Sequence, residues 1–102
     1  MRETIIKFEK AKNTMKKYTA FIRDNDTHKI RRLNFGATGY QQYRDRTPNL
    51  LYKSSDHHDI TRRRRYYSRH SGTTNRYRAI QKEKFIHYGY YSPKILSHLY
   101  LW

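Results

Sequence analysis

Along the first third of the chain, apolar and polar positions alternate in three short runs. Thr4-Ile5-Ile6-Lys7-Phe8-Glu9-Lys10 is β-branched and aromatic with partial alternation. Lys17-Tyr18-Thr19-Ala20-Phe21-Ile22-Arg23 has the same character, and Lys29-Ile30-Arg31-Arg32-Leu33-Asn34-Phe35 places Leu33 and Phe35 on one face. Asn13-Thr14 and Asp24-Asn25-Asp26-Thr27 separate the runs; Asx side chains bond their own backbone and tolerate left-handed conformations, so both read as turns. Three short strands with short links predict an antiparallel meander. The second and third strands are the firmer pair. Residues 1–16 read as a strand or an arm, with a helix as an alternative for the first run. Residues 17–102 form a single small basic domain.

Beyond Gly36-Ala37-Thr38-Gly39 the period changes. Tyr40 and Tyr43, spaced i, i+3, open a loop with room for one helical turn, and Asn49 to Tyr52 can begin another turn. Asp59 is a good N-cap for a helix from Ile60 to His70, with Gly72 placed to end it in a left-handed conformation. Ile60, Arg64, Tyr67 and Ser71 share one face of that helix, and Asp59 and Arg63 stand at the i, i+4 spacing of an ion pair. Thr74-Asn75 caps a second short helix to about Phe85, with Tyr77, Ile80 and Lys84 on one face. Ser92-Pro93 combines an N-cap with proline at the first helical position. Ile95, Leu96, Leu99 and Tyr100 give the following segment an apolar stripe. The terminal Trp102 is expected to be docked. The predicted fold is α+β: a short three-stranded antiparallel meander followed by two or three short helices, with extended segments stabilised by a partner.

Composition changes this picture in one respect. Ile, Leu, Phe and Val together supply 18 of the 102 residues, while the formal charge is +15. So few aliphatics under so much charge border on the composition of disordered chains. Eleven Tyr and an almost complete lack of low-complexity sequence argue for folding. Tyr and Arg are also the residues enriched at interfaces. The expectation is a chain whose burial is completed against a polyanionic or acidic partner. Peripheral contact with an anionic membrane surface belongs to the same class. No run approaches the ~20 apolar residues of a membrane span, and the first residues do not read as a signal peptide.

The candidate chemistry is that of contact rather than catalysis. Four successive arginines, Arg62 to Arg65, precede Tyr66, Tyr67, Arg69 and His70. They can bind phosphates bidentately, pair with an acidic protein surface, or form a solvated basic helix with structural pairs. Arg62 and Arg65 lie off the apolar stripe with no evident internal partner, which makes them candidates for contacting another chain. Nucleic-acid binding is supported by charge alone, since no recognisable binding module is present. The glycines at 36 and 39 lack the spacing of a phosphate loop and read as a tight turn. Asp56-His57-His58-Asp59 reads as a capping cluster rather than a metal site. With no Cys, no nucleophile elbow and no paired carboxylates, neither an enzyme nor a cofactor is expected.

Three elements carry a family resemblance. Phe35-Gly36-x-x-Gly39-Tyr40-x-x-Tyr43 is followed by His58-Asp59-x-x-Arg62-Arg63-x-x-Tyr66-x-x-Arg69-His70, and then by Ser92-Pro93 with a closing Leu101-Trp102. This pattern, over residues 17 to 102, resembles a family of small basic proteins of large nucleocytoplasmic DNA viruses. The four-arginine run is richer than the family pattern. The resemblance implies a virion protein of the minor capsid class, located in the capsid and in host cytoplasm during assembly. Its partners would be the major capsid protein and other minor capsid proteins. A DNA-binding virion protein that neutralises packaged genome is the alternative, and a host-directed regulatory module a third class. The residues expected to meet a partner are Arg62, Arg65, Tyr66, Arg69, Tyr40, Tyr43 and Trp102.

Overall fold

The computed structural model describes all 102 residues. Three antiparallel strands, β1 (Glu3–Lys10), β2 (Lys16–Asp24) and β3 (Ile30–Ala37), form one sheet in the order β1-β2-β3. The first run is therefore a full strand of the sheet and not a detached arm or a helix.

A bulge in β1 explains its imperfect alternation. Ile5 pairs with Ile22, but Lys7 pairs with Phe21, so Ile6 is the extra residue. Strict alternation after Ile5 would aim Lys7 at the core and Phe8 at solvent. The inserted residue reverses this, and Ile5 and Phe8 both pack into the core beneath β2. Its centre is Phe8, Tyr18, Ala20, Ile22 and Phe35 from the sheet, closed by Leu96 and Leu101.

Three helices follow: α1 (Ile60–Ser71), α2 (Arg76–Ile86) and α3 (Pro93–Tyr100). The expected caps form. Asp59 accepts from the Arg62 amide, Asn75 from that of Arg78 and Ser92 from that of Ile95, while Gly72 ends α1 at φ 70°. The α3 helix carries Leu96 onto the sheet, and α1 and α2 pack around it through Tyr66, Tyr67 and Ala79.

The predicted helix faces need correction. On α1 the buried residues are Tyr66, Tyr67 and Ser71, while Ile60 and Arg64 are exposed. The inner stripe is rotated toward Tyr66 because the aromatic rings, not Ile60, fill the space above α3. Arg63 does not pair with Asp59; its guanidinium lies 4.3 Å over the Tyr43 ring. On α2 the inner face is Ala79, Ile80 and Glu83, and Tyr77 is 72% exposed. Small Ala79 allows the close approach to α1 that a tyrosine at the same place would block.

Only 21 residues are buried, and eight of them are polar or charged, so hydrogen bonding decides whether this core is stable. The segment between β3 and α1 is pinned by such a network. The Asp45 carboxylate accepts from the Tyr18 hydroxyl, the Thr47 amide and hydroxyl, and the Tyr52 amide. Asp56 accepts from the Gln42 side chain at 2.7 Å and the Asp45 amide at 2.8 Å. Buried Lys17 donates to the Tyr40 carbonyl and to the Gln42 side chain. Burial lowers the Lys17 ammonium from its ordinary range, while Asp45 and Asp56 pull the other way. Instead of a helical turn around Tyr40 to Arg46, this stretch is irregular, with a single 3₁₀ turn at Lys53–Ser55.

Candidate functional site: a basic aromatic cleft

The end of β3, the Tyr40–Gln42 segment, α1 and α3 enclose a cleft of about 470 Å³. Lys16, Arg62, Arg69 and Lys94 line it, as do His70 and the rings of Tyr40, Tyr66 and Trp102. No Asp or Glu lines it. An aromatic floor beside cations with no lining Asp or Glu suits an anionic or acidic occupant.

The floor is built by α1 and the last residues of the chain. The Trp102 indole stacks on Tyr66, centroids 4.2 Å apart. The backbone holds that terminus in place, because the Arg44 and Arg46 amides donate to the carbonyls of Leu101 and Tyr100. Behind it lies His98, fully buried. Its Nδ1 shares a 2.9 Å hydrogen bond with the Tyr66 hydroxyl and its Nε2 a 2.8 Å bond with Ser71 Oγ. Burial, aided by His70, Lys94 and Arg76, pushes the His98 imidazole down to about 4. The same burial pushes the Tyr66 phenol far above its ordinary value. Both groups are neutral across the physiological range and tie α1 to α3.

Gly36 sets the opposite wall. It sits at φ 79°, where a Cβ would stand 2.9 Å from Leu101 Cδ1 and 3.1 Å from Lys17 Cβ. Only glycine permits both this backbone turn and the approach of the C-terminal segment.

Several cations that the sequence leaves unassigned cap helix ends. Lys82 donates to the Ser71 carbonyl and Lys94 to that of His70, at the C-terminus of α1. Arg76 donates to the carbonyls of His98 and Leu99 and to the Tyr67 hydroxyl. Lys94 also lies 3.5 Å from Glu83. Positive charge is thus partly structural.

Of the seven predicted partner residues, Arg62, Arg69, Tyr40, Tyr66 and Trp102 meet in this cleft. Tyr40 is 72% exposed at its mouth. Tyr66 is buried within the chain, so its ring is a support and not an anchor for a partner. Arg62 has an internal partner after all, donating to the Gln41 side chain at 2.8 Å. Tyr43 lies outside, with Arg63 and Arg46 over its ring. Arg65 is exposed on α1 and does not reach the cleft. His57 accepts from the Asp59 amide at the start of α1 and packs 5.3 Å from the Trp102 ring.

The sequence reading missed two surfaces. One is a set of exposed aromatics, Tyr77 at 72% and Phe85 at 85% on α2 and Tyr88 at 79% in the turn that follows it. The i, i+8 spacing of Tyr77 and Phe85 is a signal for it, obscured by Ile80 between them. The other is the outer face of the sheet. No protein-family profile, curated protein or solved structure matches the chain. No helix is long and apolar enough to cross a membrane.

Proposed function

We propose that the protein is a structural minor capsid protein, a cement that holds major capsid protein capsomers together in a large icosahedral DNA virus. The observation that carries this reading is the cleft. Five Lys and Arg side chains and four aromatic rings line it with no Asp or Glu among them, so it receives an acidic segment of a capsid partner. The exposed Tyr77, Phe85 and Tyr88 support the same reading, since large aromatics left bare on a monomer mark protein contact. The resemblance of residues 35–43 and 58–70 to small virion proteins points the same way, because both segments border this cleft.

Cross-linking in intact particles tests the proposal. Lysines 16 and 94 should link to acidic segments of the shell protein. Links confined to core proteins would overturn it. Duplex DNA supplies the second arm. A cement binds it only electrostatically, with Kd on the order of 10⁻⁴ to 10⁻⁶ M and a steep salt dependence. Tight duplex binding that survives raised salt would instead favour genome neutralisation.

A further inference from the structure

The sheet has a second face, turned away from the helices. Cross-strand pairing places Lys7, Phe21 and Arg32 side by side across all three strands. The β1 bulge creates this row, for without it Lys7 would point inward. Lys7 Nζ stands 4.6 Å from the Phe21 ring centre and the Arg32 guanidinium 5.1 Å. Lys10 and Lys12 complete a shallow depression of about 460 Å³ around the ring. Its single acid, Glu9, is bound to Lys7 at 2.9 Å. No helix covers Phe21, which is half-buried beneath the Lys7 and Arg32 side chains and lies in none of the apolar clusters.

We infer that this face binds single-stranded nucleic acid, with one base stacked on Phe21 and the flanking phosphates held by Lys10, Lys12 and Arg32. The argument is charge complementarity joined to a flat aromatic ring. A base needs a π-face and phosphates need cations beside it. A carboxylate-bearing peptide needs only the cations. Lys7 and Arg32 already occupy the ring by cation–π contact, and both have the reach to swing onto phosphate when a base replaces them. The inference does not depend on the cleft, which shares none of the residues that line this face.

The test is fluorescence anisotropy of a labelled twelve-nucleotide thymidine strand, with the full chain, across a salt series. Phe21→Ala should weaken binding roughly tenfold or more, and Phe21→Leu should weaken it comparably while preserving the fold, because leucine fills space without a π-face. Phe21→Trp should restore binding. Lys10→Gln and Lys12→Gln should each reduce the salt slope by about 0.7, the increment for one single-strand phosphate contact. Arg78→Ala, exposed on α2 and lining neither depression, should leave binding nearly unchanged. The inference is overturned if Phe21→Leu binds like the parent, if Arg78→Ala weakens binding as much as Phe21→Ala, or if the thymidine strand does not bind. It is also overturned if polyglutamate competes as well as the strand, which would assign the face to acidic protein.

Discussion

The Trp102 indole lies flat on the Tyr66 phenol ring, 4.2 Å between centroids and 4° from parallel. This contact joins the last residue to the middle of α1 and forms the floor of the basic cleft. Because His98 holds the Tyr66 hydroxyl from behind, the ring is fixed on two sides before any partner arrives.

Removing the indole should therefore loosen both fold and cleft. Trp102→Ala is expected to cost about 2 kcal/mol, below the value for a fully buried Trp because the side chain is partly exposed. Trp102→Phe should recover much of this. Urea denaturation measures it, and an unchanged midpoint for Trp102→Ala would show that the stack does not support the fold.

Stability should fall with acid in a defined window. The His98 imidazole is held near 4 in the folded chain, against about 6.5 in an unfolded one. Below pH 6.5 the unfolded chain takes up a proton that the native chain does not. The contribution is complete above that pH and lost as pH falls toward 4, amounting to about 3 kcal/mol. Glu3 acts at still lower pH, because its hydrogen bonds to Arg31 hold its carboxyl below the ordinary value. His98→Gln should flatten the profile between pH 6.5 and 4 in denaturation experiments. A profile with the parent's slope there would assign the acid sensitivity to other groups.

Gly36→Ala should be among the more damaging single-methyl changes in the chain. The new Cβ meets Leu101 at 2.9 Å on a backbone at φ 79°, so conformational strain and a clash add. A loss of roughly 2 kcal/mol is expected. Gly39→Ala is the internal control, since it shares the positive φ but has nothing within 4 Å. Equal losses at both sites, read from thermal midpoints, would rule out the clash.

The arginines of α1 should divide by position. Arg69 lines the cleft and Arg65 does not. Arg69→Glu should weaken incorporation into particles by roughly 1–3 kcal/mol while leaving the monomer within about 0.5 kcal/mol. Arg65→Glu should incorporate nearly normally. Arg62→Ala should show both effects, because it also loses the bond to Gln41. Normal incorporation of Arg69→Glu would remove the cleft from the interface.

The isolated chain should also be less stable in dilute buffer than at physiological salt. A formal charge of +15 on 102 residues repels itself, and salt screens that repulsion. A thermal midpoint that is constant across ionic strength would mean that the local ion pairs offset it.

What the sequence by itself determined were the features set by neighbours along the chain. Asp59, Asn75 and Ser92 cap helices because each needs only the amides of its own first turn. The Asp24–Thr27 turn and the glycine at 72 are local for the same reason, and the apolar alternation of β2 and β3 was enough to pair them. What tertiary structure decided were the choices that depend on distant groups. The β1 bulge exists because Ile5 and Phe8 both find a core under β2. The inner face of α1 turned to Tyr66 because Trp102 and His98 wait there, 36 and 32 residues away. Asp45 and Gln42 are buried because Tyr18 and Lys17 of β2 supply their partners. In a chain with so few aliphatic residues, the hydrogen-bond partners of tyrosines and charges set the packing. Those partners are chosen in space, where sequence spacing carries no record of them.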